Sequence, residues 1–152
     1  MQVRRATAKD LADINRLSME MHRFLAKQEG LRLSREALDE NYTMRDLKTS
    51  EIFVAIADGK VVGYIHFSKQ SKETEWFGEN LELHHLAVAE GFRRKGIGKV
   101  LLGLLMAKAR KRGLGIRTDA LASNMGAIRF YKKMGFKPFQ IDLLWKADKK
   151  PR

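Results

Sequence analysis

Apolar positions along this chain recur in two periods. Leu11, Ile14, Leu17, Met21 and Leu25 fall three or four apart, the stripe of an amphipathic helix. Thr7 with Asp10 resembles its start, and Gly30 breaks it. Before it, residues 3–6 form a short strand candidate, and after it Ser34 with Glu36 opens a second helix to about residue 48. Residues 52–57 and 61–67 read as strands joined by Asp58-Gly59, a strong hairpin signal. Residues 70–80 are polar and charged around Trp76 and Phe77 and read as a loop. Residues 81–88 are the next strand, and 98–112 a helix with Val100, Leu101, Leu104 and Leu105 turned inward, ended by Gly113 and Gly115. A strand over 116–121, a helix over 124–134 and one or two closing strands within 136–145 complete the series. Strands and helices in this order predict an α+β domain over residues 1–148, with 149–152 a frayed basic tail.

Composition narrows the class. The 152 residues suit one domain with one sizeable core, and 44% apolar content is that of a globular protein. With no cysteine, disulfides, thiolate metal sites and cysteine nucleophiles are excluded. No apolar stretch approaches a membrane span and no signal-peptide core opens the chain, so a cytoplasmic protein is expected. High charge and only eight Asn plus Gln hint at a thermophilic source. The net charge is +12, and residues 91–117 hold nine Lys or Arg with no Asp or Glu. Such a field draws anions to its cleft. Nucleic acid is a rival partner for it, although no aromatic RNA-binding platform accompanies the charge.

The chemistry concentrates where the strand over 81–88 gives way to a helix. Arg93, Arg94, Lys95, Gly96, Ile97 and Gly98 make a basic glycine turn at that junction, continued by Lys99. Glycines let the backbone turn tightly and bring N–H groups close to a ligand, and the helix start adds unpaired donors and a partial positive charge. Strand, turn and helix together form a cradle for a phosphate or pyrophosphate. Neither G-x-G-x-x-G near the first strand nor G-x-x-x-x-G-K-[ST] is present. What is present is R-x-x-G-x-G, at Arg93, Gly96 and Gly98. Downstream, Asn124, Ala127, Phe130, Tyr131, Gly135 and Phe136 spell N-x-x-A-x-x-F-Y-x-x-x-G-F, which also reads locally as a capped helix with an aromatic face.

In this order and at this separation the two motifs resemble those of the GCN5-related N-acetyltransferase family, and the element order matches that family's fold over nearly the whole chain. The resemblance implies a mixed central sheet with helices on both faces and acetyl-coenzyme A as cosubstrate, with no metal. It implies that residues 93–99 hold the pyrophosphate. It implies that the preceding strand splays from its neighbour, freeing backbone of Leu86, Ala87 and Val88 for the pantetheine arm, with the Val88 N–H as oxyanion donor. Asn124 would hydrogen-bond the coenzyme, and Tyr131 would lie on it as the acid that protonates the departing thiolate. Glu82, eleven residues before Arg93, occupies the position of a general base used by some members. Unbroken alternation places Glu82, His84, Leu86 and Val88 on one strand face and Leu83, His85 and Ala87 on the other, which makes His84 a second candidate base. Ordered water is a third. The expected reaction is direct transfer of an acetyl group to a primary amine in a ternary complex. The acceptor, metabolite or protein, stays open, with its pocket expected around residues 28–35, 76–80 and 139–144, where Arg32 and Arg35 are either candidates to meet an acceptor carboxylate or solvated helix-flanking cations. A homodimer stays open too. The competing readings are a nucleic-acid-binding module and an acyl-coenzyme A sensor without chemistry.

Overall fold

The computed structural model describes residues 1–39, 41–70 and 78–147. Five strands form one sheet in the order β1 (Gln2–Arg5), β2 (Glu51–Ala57), β3 (Lys60–Gln70), β4 (Asn80–Val88) and β5 (Gly115–Arg117). The first four pair antiparallel; β4 and β5 are parallel. The long helix α1 (Leu11–Glu29) covers one face and α4 (Ile97–Arg112) the other, the mixed sheet between helices that the sequence predicts. On the α1 face Ile14, Leu17, Ile52, Val54 and Tyr64 are buried together; on the α4 face Ile65, Phe67, Leu83, Leu101 and Leu105 are. Gly63 allows the close approach of α4, since a Cβ there would lie 3.1 Å from the Ala87 carbonyl oxygen and 3.2 Å from Ile97.

Three expectations are corrected. A continuous helix over 34–48 is replaced by α2 (Arg35–Asp39) and α3 (Met44–Thr49). Thr43 is the reason: its hydroxyl accepts from the Arg45 N–H at 3.2 Å while Asp46 accepts from the Thr43 N–H at 2.7 Å, a capping box that starts a new helix. The extended Tyr42 just before it is pinned to α1 by Asn15, which accepts from its N–H at 2.6 Å and donates to its carbonyl at 3.2 Å. The strand expected over 116–121 is only three residues long, because its pairing with β4 ends at Glu82↔Arg117. Residues 136–147 form no strand. Phe139, Ile141, Leu143 and Trp145 alternate as a strand would, but they are exposed, and alternation makes no ladder without a partner edge.

After Lys133, the last residue of α5 (Met125–Lys133), the chain turns at Gly135 (φ +95°), where the Phe136 N–H returns to the Tyr131 carbonyl. Trp76, Phe77 and the tail 149–152 lie outside the described residues.

Candidate active site

A register shift in β4 builds the site. His66 pairs with His85, but the next β3 residue, Phe67, pairs with Leu83, so His84 is an extra residue in the strand. This bulge reverses the side-chain alternation. Leu81 and Leu83, and then Leu86 and Val88, pack toward α4, while Ala87 packs toward α1. Glu82 and His85 line a cavity with Ser18, Tyr42 and His66. The expected set of Glu82, His84, Leu86 and Val88 on one face is therefore split: Leu86 and Val88 face α4, and His85 joins Glu82 on the other side.

The pairing of β4 with β5 ends just before the bulge. Past Glu82↔Arg117 the last link is the Thr118 hydroxyl, which donates to the Leu83 carbonyl at 3.1 Å. A cleft opens beyond it, with a cavity of about 420 Å³ lined by α1 (Leu17, Glu20, Met21, Phe24), β4 (His84 to Val88), the strand-like run from Thr118 to Leu121, and Asn124, Ala127 and Tyr131. The Ala89 N–H bonds to the Val62 carbonyl at 2.8 Å. Antiparallel ladders alternate bonded and non-bonded pairs, so Ala87 is bonded to Tyr64. The backbone groups of Leu86 and Val88 point the other way, into the cleft. Arg93 already uses one of them: its Nε donates to the Val88 carbonyl at 3.1 Å.

The cradle forms the cleft's outer end. Arg94 (φ +64°) and Gly96 (φ +81°) are both left-handed, a turn that brings the chain into α4. No side chain caps that helix, so its first N–H groups stay available to an anion. Ile97 is buried in the core and offers only its backbone, and Gly98 faces the Phe130 ring. The basic run divides. Lys108 and Arg112 pair with Glu51 at 3.0 and 2.6 Å, and Arg117 pairs with Glu82 at 3.2 Å. Arg93, Arg94, Lys95 and Lys99 stay at the cradle, with Arg93 over the Phe24 ring at 5.4 Å and Lys95 over the Phe92 ring at 5.0 Å. An uncapped helix start, four cations and an unpaired strand edge fit a phosphorylated ligand with an extended amide-bearing arm.

Tyr131 lines the cleft with its ring against Phe130 and Phe136, at 5.5 and 5.4 Å between centroids. Burial pushes its phenol above the ordinary range, opposed in part by the Thr118 hydroxyl. The phenol is thus protonated at neutral pH. Asn124 caps α5 by accepting from the Ala127 N–H at 3.2 Å, which leaves its amide NH₂ for a ligand. Glu82 takes both of its hydrogen bonds from Arg117, at 3.2 and 3.4 Å, and lines the neighbouring cavity. His84 is exposed, with Nε2 2.6 Å from the Ser68 hydroxyl and its ring 4.6 Å from that of His66. Residues 28–35 and 139–144 line neither cavity; α1 supplies the wall instead.

The sequence reading missed His66, His85 and Tyr42. The Tyr42 hydroxyl hydrogen-bonds Nδ1 of His66 at 2.9 Å and also Nδ1 of His85. Burial pushes both imidazoles down to about 4, helped by the neighbouring histidines, so both are neutral at pH 7. The adjacent His84-His85 pair was the available signal, but unbroken alternation put His85 on the strand face opposite Glu82, and the bulge brings the two to one cavity. Among the described residues no cluster of His, Asp or Glu fits a metal ion, and no helix is long and apolar enough to cross a membrane.

Residues 12–136 match the sequence model of the acetyltransferase (GNAT) family. An N-alpha-acetyltransferase of Sulfurisphaera tokodaii is 36% identical over 137 residues, covering 78% of this chain and 78% of that one. Among solved structures, a tetramutant of the BH1408 protein from Bacillus halodurans has a TM-score of 0.80 at 21% identity, covering 97% of this chain and 100% of that one. AAC(6')-Iy in complex with a bisubstrate analog of coenzyme A has a TM-score of 0.70 at 16% identity, covering 96% and 97%. These two likenesses are of fold.

Proposed function

The chain belongs to the acetyltransferase (GNAT) family and is an acetyl-CoA-dependent N-acetyltransferase; from that premise we propose that its acceptor is the α-amine of a peptide or protein N-terminus, acetylated in the cleft between β4 and β5. The observation that carries the reading is the cleft itself. It runs as one space past the outward-facing backbone of Leu86 and Val88, from Arg93 to Tyr131.

In this reading the N–H groups at the start of α4, with Arg94, Lys95 and Lys99, hold the coenzyme's phosphates. The outward backbone of Leu86 and Val88 pairs with the amide-bearing arm, and Asn124 adds its free amide. The Val88 N–H stabilises the negative charge that grows on the carbonyl oxygen. The phenol of Tyr131 protonates the leaving sulfur. Alignment of both reactants in one cleft supplies the rest.

The choice of an α-amine rests on two supports. The similar protein of Sulfurisphaera tokodaii is an N-alpha-acetyltransferase. Burial also makes the His85 imidazole in the cleft a weak base, suited to an amine that is already neutral. With ordinary pKa values of about 7.8 and 10.4, an α-amine is neutral about 350-fold more often than a lysine at pH 7. The test is a peptide carrying one free α-amine and one lysine, incubated with enzyme and acetyl-CoA and read by tandem mass spectrometry. Acetyl on the N-terminal fragment is expected. Acetyl on the lysine, or on small amines but not the peptide, would reject the acceptor assignment.

A further inference from the structure

The hydrogen bonds beneath the cleft fix their own direction. The Asp46 carbonyl only accepts, so Ser50 donates its one proton there, at 2.6 Å. The Ser50 oxygen therefore accepts from Nε2–H of His66 at 3.0 Å. Neutral His66 then has a bare Nδ1, and Tyr42 donates to it at 2.9 Å. With its proton so placed, the Tyr42 oxygen accepts from Nδ1–H of His85. The last member is left with a bare Nε2, which has no hydrogen-bond partner among the described residues. His85 also lines the cavity that contains Tyr131.

We propose that His85 Nε2 is the atom that takes the proton from the acceptor amine, and that Tyr42, His66 and Ser50 are positioning residues that hold it in the competent tautomer. This rests on the acetyl-transfer reading above. In the step, the amine nitrogen bonds to the thioester carbonyl carbon and the C–S bond breaks. The sulfur takes the Tyr131 phenol proton, and the surplus nitrogen proton passes to His85. Solvent removes that proton and returns one to Tyr131, so amine and thioester become amide and thiol with no net release. The nitrogen proton becomes strongly acidic as its lone pair is drawn into the new bond, so a weak base suffices.

The alternatives are otherwise engaged. Glu82 is held by Arg117, and His84 meets Ser68 at the exposed bulge. The other titratable groups facing His85 are His22 on α1, edge-on at 5.5 Å, and Asp119 after β5, which opposes the downward shift. The scaffold is rigid at the point of control, since Asn15 holds Tyr42 at both backbone groups.

The experiment is ¹⁵N NMR of the imidazoles at pH 7, with kinetics on variants. The expected spectrum shows His66 as the Nε2–H tautomer and His85 as Nδ1–H, with Tyr42→Phe releasing His85 to a mixture. His85→Gln should lower kcat on the order of 100-fold, and Tyr42→Phe on the order of 10-fold, both with unchanged acetyl-CoA affinity. His85 found as Nε2–H or as imidazolium, or a His85→Gln enzyme at full rate, would overturn the proposal while wild-type turnover leaves the transfer reading intact. If His85→Gln fails to fold, the tautomers and Tyr42→Phe still decide. Absence of transfer by the wild type to any amine would instead sink the transfer reading.

Discussion

Tyr131→Phe removes one hydroxyl and keeps the ring that packs on Phe130 and Phe136. The backbone of α5 is anchored elsewhere, by the Asn124 cap and the Gly135 turn, so the fold and the coenzyme cradle should survive. What is lost is proton donation to the sulfur. General acids contribute about 10²–10⁴-fold. A thiolate, with a parent pKa of about 8.5, is already a fair leaving group, so the loss should lie near the lower end, about 100-fold or about 2.7 kcal/mol of barrier. The raised phenol pKa keeps the wild-type donor protonated well above neutral pH. The ratio of wild-type to variant kcat should therefore stay constant through neutral pH and shrink only in alkaline solution, where the phenol itself ionises. Continuous detection of released thiol gives kcat, and calorimetry gives acetyl-CoA affinity. Equal loss of turnover and affinity, no loss at all, or a ratio that already shrinks at neutral pH would refute the assignment of Tyr131 as the acid.

Burial of neutral His66 and His85 makes stability depend on pH. Their folded values of about 4 lie below the ordinary 6.5, so the unfolded chain binds more protons between those limits. The urea midpoint should fall as pH drops from about 6.5 to about 4, and less steeply in the His66→Gln variant. Asp10 acts lower. Hydrogen bonds from Arg4 and Thr7 hold its carboxyl at about 2, so its stabilisation is present above about 3.8 and is lost as pH falls through about 2. Asp10→Asn should cost about 2 kcal/mol at pH 7 by chemical denaturation and little at pH 2. Gly63→Ala should lower the thermal midpoint by an overpacking cost of about 1–3 kcal/mol, because the Ala87 carbonyl is backbone and cannot swing aside.

Period and capping made most of the fold legible. The α1 stripe, the Asp58-Gly59 hairpin and the helix between Gly96 and Gly113 stand close to where spacing places them. The cradle and the helix carrying Tyr131 were legible for the same reason, since glycine turns and caps are local signals. The β4 bulge was not. It is a relation between two strands, and nothing in residues 81–88 alone says that His84 is extra against β3. That one residue decides which histidine meets Tyr42. The break before α3 was legible in Thr43 and Asp46 but was overridden by the helical content around it. The tail failed in the opposite sense, because Phe139, Ile141, Leu143 and Trp145 carry a strand period without a strand partner.

The cleft between β4 and β5 is the proposed acetyl-CoA site. Calorimetric titration of acetyl-CoA into the protein tests this most directly, alongside the Arg94→Gln/Lys95→Gln double variant. One-to-one saturable binding is predicted, weakened on the order of 10-fold in the variant and less so at high salt, where exposed charges are screened. No saturable binding to the wild type, or binding unaffected by the loss of both cations at any salt, would contradict it.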